Sequence, residues 1–313
     1  IAAGLAVFWG PTARDLSAPT EYFSAARAHK HVQAIARAPH PPGTAEHARV
    51  RAYIVEQLRA LKLDVHEQEA VATSKSKRGM TLANVVNIVG YRKGASPKPG
   101  PPLVLMAHYD SVPTGPGAGD DAAGVAAILE ALRALGTQRL VNDVYVVITD
   151  AEELGLLGAK AWFASEEGKK LGKGVIINLE ARGGSGPVFM FETGAANRRL
   201  VEHLSQATEY PAASSLMYNL YKLLPNDTDM TVAKAAGWNF IHGKFGKFIN
   251  TIKISYIGQK ENKKHDSAKD DIELMIKDFE CLEESPSLLY WMFLQKTQHQ
   301  SRVHIKRSSN AKL

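Results

Sequence analysis

The chain has 313 residues, 45% of them apolar and 22% charged, which is enough for a sizeable folded core and argues against wholesale disorder. Its net charge of +6 gathers largely after residue 240, and no basic stripe with interleaved aromatics crosses the main body, so the composition speaks against a nucleic-acid surface. A single cysteine, Cys281, rules out an internal disulfide and a zinc site built from cysteines alone.

The first ten residues, IAAGLAVFWG, carry no charge. They are too few to span a bilayer, which takes about 20, and they read as the trailing end of a signal anchor or membrane helix. The alternative is an apolar segment packed on the core. Pro11 to Thr20 then reads as a linker.

Glu21 to Arg37 is predicted to be helical, and APHPPG at 38–43 must break that helix. Thr44 suits the N-cap of a second helix, whose apolar face carries Val50, Ile54, Leu58 and Leu61. Strand-like runs follow at Leu63–Glu69 and at Asn84–Tyr91, the second rich in β-branched residues. Beyond a Gly- and Pro-containing loop the pattern becomes regular. Strand Leu103–Ala107 precedes a Gly-rich loop and a helix at Ala122–Leu135. Strand Val144–Thr149 precedes a helix predicted to start near Glu152. Strand Val175–Leu179 precedes another Gly-rich loop. This alternation predicts an α/β fold in a single domain: a central mixed, mostly parallel sheet with helices on both faces.

Each of the last three strands ends in residues that bind metals. Ligands in open α/β sheets gather beyond the carboxyl ends of the strands, so three such ends reinforce one another. His108 and Asp110, two apart on a strand, face the same side. One offers a ring nitrogen, and the other can orient that ring. Asp120 and Asp121 in GPGAGDDAAG open a helix, where either can serve as an N-cap or bridge two metals. Glu152 and Glu153, on a helix, would point about 100° apart, one towards a metal and one towards a bound water as general base. Glu180, directly after the buried run VIINL, reads as a terminal ligand on the second metal.

The ordered set HYD, GDDAAG, AEELGLLGA and NLEARGG resembles the M28 family of co-catalytic zinc exopeptidases. The likeness is strongest to its membrane-linked branch of endoplasmic reticulum metallopeptidases and vacuolar membrane proteases, over about residues 31–240. The resemblance implies two Zn2+ per chain and hydrolysis of peptide substrates, with aminopeptidase activity favoured. It implies His108 as a ligand of one zinc, Asp120 as the bridging carboxylate and Glu152 as general base. Glu153 would share a zinc with a second histidine, and Glu180 stands where many relatives have Asp. The family's last ligand lies in a pattern such as H-[TS]-x-x-D, which His265 approximates with Asp266 inserted. His242 is the runner-up, and roughly the last forty residues resemble the family little.

On this reading residues 1–19 are the apolar segment and linker, 20–295 the zinc peptidase domain, and 296–313 a basic tail. The expected location is membrane-anchored or exported, with membrane association through the N-terminal segment. Two alternatives keep the fold: a single-zinc glutaminyl cyclase, and a non-catalytic ectodomain that has lost its zinc.

Overall fold

The computed structural model describes residues 13–76, 79–171, 174–181, 189–193, 198, 202 and 227–245. The N-terminal residues 1–12, His265 and the basic tail lie outside these.

Among the described residues seven strands form one mixed sheet in the order β1-β2-β4-β3-β5-β7-β6. They are β1 (Asp64–Ser76), β2 (Gly79–Arg92), β3 (Leu103–His108), β4 (Val144–Thr149), β5 (Val175–Ala181), β6 (Phe189–Thr193) and β7 (Asn239–Phe245). The four central strands β4, β3, β5 and β7 are parallel. The flanking pairs β1–β2, β2–β4 and β6–β7 are antiparallel. Six helices accompany them among the described residues: α1 (Ala25–Ile35), α2 (Ala45–Ala60), α3 (Ala122–Leu135), α4 (Leu157–Ala164), α5 (Glu166–Lys170) and α6 (Asp229–Ala235).

Strand periodicity sorts the core into two layers. Leu103, Leu105 and Ala107 of β3 join Val144, Val146 and Ile148 of β4 under α1, α2 and α3. Val104, Met106 and Val147 point the other way, against Trp162 and Phe163 of α4 and Met230 and Ala233 of α6. Each fully buried Val, Leu or Ile contributes about 1.5–3 kcal/mol, so a central strand apolar on both faces is held from both.

The helix expected from Glu21 is shorter, because Ser24 caps it: the Ser24 hydroxyl oxygen accepts the Arg27 amide at 3.2 Å. Thr44 caps α2 as its sequence suggests, accepting from the His47 amide at 3.2 Å. Ahead of α1 the chain is fastened to the domain. Arg27 donates to the Ala18 and Tyr22 carbonyls at 2.7 and 2.6 Å. The buried Glu130 accepts from the Ser24 amide at 2.8 Å and pairs with Arg27 and Arg133.

Candidate metal centre

His108 ends β3, Thr149 ends β4, and Glu180 is the penultimate residue of β5. These adjacent strand ends bring together His108, Asp110, Asp120, Glu152, Glu153 and Glu180. Among the described residues two sets offer donor atoms that all lie within 4.8 Å of one another: His108 with Asp120 and Glu180, and His108 with Glu152 and Glu153.

The His108 ring is buried. Its Nε2 lies 3.0 Å from Asp120 Oδ1 and 3.3 Å from Glu180 Oε1. Its Nδ1 lies 3.3 Å from Asp110 Oδ1. Burial alone would push the imidazole down, but its contacts with Asp110, Asp120 and Glu180 carry it well above the usual histidine range. Glu180 therefore belongs on the His108 side of the site. β5 lies beside β3 in the sheet, which sets the Glu180 and His108 side chains next to each other.

The two readings of the Gly-rich loop divide between its aspartates. Asp121 is the N-cap of α3. Its Oδ1 accepts the Gly124 amide at 3.1 Å and its Oδ2 the His108 amide at 3.3 Å. Its neighbour Asp120 projects to the His108 ring, with half its side chain open to solvent. The peptide bond between them is cis. Gly124 is required at its position, because a Cβ there would come within 2.5 Å of Asp121 Oδ1.

Glu152 and Glu153 are not helical, which overturns the helix expected from Glu152. α4 starts at Leu157, and the preceding turn holds Ala151 and Leu156 at φ 53° and 62° and Gly155 at φ 108°. The turn is stable because buried side chains take up its polar groups. Asp110 Oδ1 accepts the Glu152 amide at 2.9 Å, and Oδ2 the Glu153 amide at 3.2 Å. Asp150 points away from the metal-binding residues. It accepts from His47 Nε2 at 2.8 Å and from the Val86 amide at 2.9 Å, while Asn87 Oδ1 accepts its own amide. The His47 ring stacks on Tyr109, with centroids 4.7 Å apart.

The site is rich in acid. Burial pushes Glu152 well above the usual carboxylate range, with Glu180, Asp229 and Asp110 adding to it. Glu153 is raised to about 7, by burial and then by Asp120. So much buried negative charge calls for a cation, and one neutral imidazole with carboxylate oxygens is a donor set that suits Zn2+. Two donors on a tetrahedral zinc, each about 2.0–2.1 Å from it, lie about 3.3–3.4 Å apart. The 3.3 Å separation of His108 Nε2 from Glu180 fits that spacing, and Asp120 at 3.0 Å stands at hydrogen-bond distance.

His242 lies within β7, level with Asn178 and two residues short of Glu180. Sequence reasoning missed Asp229, which opens α6, is 1% exposed and accepts the Thr149 hydroxyl. It stands in the run NDTDMTVAKAAGWNF, where an acidic residue at the start of a helix reads as an ordinary first-turn charge.

Residues 87–279 match the model of "Peptidase family M28". The chain is 32% identical to a vacuolar membrane protease of Schizosaccharomyces pombe over 219 residues, 66% of this chain and 25% of that protein. It is also 32% identical to endoplasmic reticulum metallopeptidase 1 of Homo sapiens over 160 residues, 49% of this chain and 17% of that protein. The chain thus spans a quarter or less of the length of these relatives. Among solved structures, a glutaminyl cyclase of Porphyromonas gingivalis aligns with TM-score 0.56 at 23% identity, covering 86% of this chain and 98% of that one. A zinc aminopeptidase from Bacillus subtilis aligns with TM-score 0.53 at 17% identity, covering 72% and 86%. Both likenesses are of fold.

Proposed function

The chain belongs to peptidase family M28, and on that premise we propose that it is a zinc-dependent exopeptidase, an aminopeptidase with two co-catalytic zinc ions. The observation that carries this reading is the gathering of His108 Nε2 with Asp120 and Glu180 within 4.8 Å of one another, beside a turn that presents Glu152 and Glu153. His108 and Glu180 would hold one zinc, Glu153 and His265 the other, and Asp120 would bridge them. The family match runs past His265.

Bound zinc would polarise the scissile carbonyl and acidify a water. The rest of the chemistry belongs to the chain. Glu152, in a setting that strengthens its hold on a proton, takes the water's proton and delivers it to the leaving amine. Asp110 keeps Glu152 in place through its amide and orients the His108 ring from the Nδ1 side. Asp121 holds the His108 backbone, so the ring is fixed at both ends.

The substrates on this reading are peptides with a free N-terminus. The protein is membrane-anchored or exported, its domain tethered through the N-terminal segment. The relatives' names, vacuolar membrane protease and endoplasmic reticulum metallopeptidase, support such a location. Among the described residues no helix is long and apolar enough to cross a membrane.

A single-zinc glutaminyl cyclase is the second reading. It is favoured by the fact that His108 is shared by both donor sets among the described residues. Metal analysis of the purified chain, run beside assays of aminoacyl-anilide hydrolysis and N-terminal glutamine cyclisation, separates the two. Two zincs with hydrolysis are expected; one zinc with cyclisation would replace the peptidase reading.

A further inference from the structure

Asp229 donates nothing to the ligand set, yet it is a buried carboxylate held against the strand end that carries the site. One oxygen accepts the Thr149 hydroxyl, closing 80 residues of chain. Among the described residues the other, Oδ1, has no hydrogen-bond partner. Thr149 stands level with His108 across β3 and β4, and its hydroxyl also lies 3.2 Å from the Ala107 carbonyl oxygen. It is the last residue of β4, three before Glu152. Asp229 therefore ties α6 to the strand end from which the catalytic turn departs.

A structural tie alone does not need a charge, because an asparagine would bond the same hydroxyl. A buried ionised carboxylate with an unfilled oxygen is costly unless positive charge lies near. The groups that Asp229 feels are those of the site. Burial pushes its carboxyl up to about 7, the Thr149 bond and His108 oppose this, and Glu180 and Asp110 add to it.

We propose that Asp229 is an outer counter-charge of the zinc centre: without touching the metal, it raises the site's affinity for Zn2+ and holds the end of β4 through Thr149. The proposal rests on the zinc-peptidase reading and adds a positioning residue that contacts neither metal nor substrate. Its signature is a pair of opposite effects. In the metal-free chain Asp229 crowds Glu152 and Glu180 with like charge, whereas in the loaded chain it offsets the cations.

The test uses the full chain, stripped by a chelator and titrated with Zn2+ against a competing chelator, with the melting temperature of the stripped protein measured alongside. Asp229→Asn should lower zinc affinity by about ten-fold or more, as losses of outer partners do. Its stripped form should melt no lower than the unmutated chain. Unchanged affinity, or a stripped form that melts several degrees lower, overturns the proposal. Thr149→Val leaves the carboxylate without its donor, so its stripped form should melt lower; an unchanged melting temperature would show that the bond is not made in solution and would also overturn it. An unmutated chain that binds no zinc sinks the zinc reading itself, whereas zinc binding that Asp229→Asn leaves intact sinks the counter-charge alone.

Discussion

Asp110 holds Glu152 by its backbone, with Oδ1 2.9 Å from the Glu152 amide nitrogen. The same carboxylate takes the Glu153 amide and faces His108 Nδ1. One buried side chain thus sets the relative position of a proposed base and two proposed metal ligands. Asp110→Asn replaces an acceptor oxygen with an NH2 group that must face one of these N–H donors. The expected result is a loss of about 10–100-fold in kcat or zinc affinity in a chain that still folds. Activity and metal affinity both equal to those of the unmutated chain would show that the contact has no functional weight.

Glu152→Gln keeps the shape of the side chain but cannot accept the water's proton. Zinc content and melting temperature should stay as they are, while kcat falls by about 10²–10⁴-fold. Near-normal turnover would assign the base elsewhere.

His265 is proposed as the last protein ligand and lies outside the described residues. His265→Ala should take zinc stoichiometry from two towards one and remove most activity, and His242→Ala should do neither. Metal analysis of the two purified variants decides between them. Two zincs and full activity in the His265 variant would reject the ligand.

The N-terminal segment can be tested against the Glu130 clamp. If residues 1–12 lead into a membrane anchor, the full-length protein sediments with membranes, and removing them releases a soluble chain with an unchanged melting temperature. A lowered melting temperature would mean that the segment packs on the core. Glu130→Ala removes the partner of the Ser24 amide, Arg27 and Arg133. It should cost about 2–3 kcal/mol in denaturant unfolding, less than a fully buried pair would, because both arginines keep some contact with solvent.

Elements made by local pattern were legible in the sequence. The bounds of α3 and β4 match their apolar runs, and Thr44 caps α2 as its residue type suggests. The helix expected from Glu152 failed because its start depends on distant partners. Asp110 takes two amides of the turn, and Asp150 is turned away by His47 and the Val86 amide; none of these partners is local in sequence. β1 and β2 run longer than their β-branched stretches, because small residues such as Ala72 and Ala83 pack in a cluster with Leu157 of α4. Within the site, residue types at strand ends pointed to His108, Asp120 and Glu180, but which carboxylate sits beside which nitrogen follows from strand order. Asp229 needed the fold itself, since its partner Thr149 is 80 positions away.

The order in which the chain contributes to the site has a consequence for synthesis on the ribosome. His108, Asp120, Glu152 and Glu153 emerge early, at the end of β3, in the loop before α3 and in the turn after β4. Glu180 arrives only with β5, and Asp229 with α6. A nascent chain that has produced β4 but not β5 carries several acidic groups and one imidazole, without the carboxylate that lies 3.3 Å from that ring. The cluster of donor groups is thus incomplete until β5 has been made, and lacks Asp229 beside it until α6 follows.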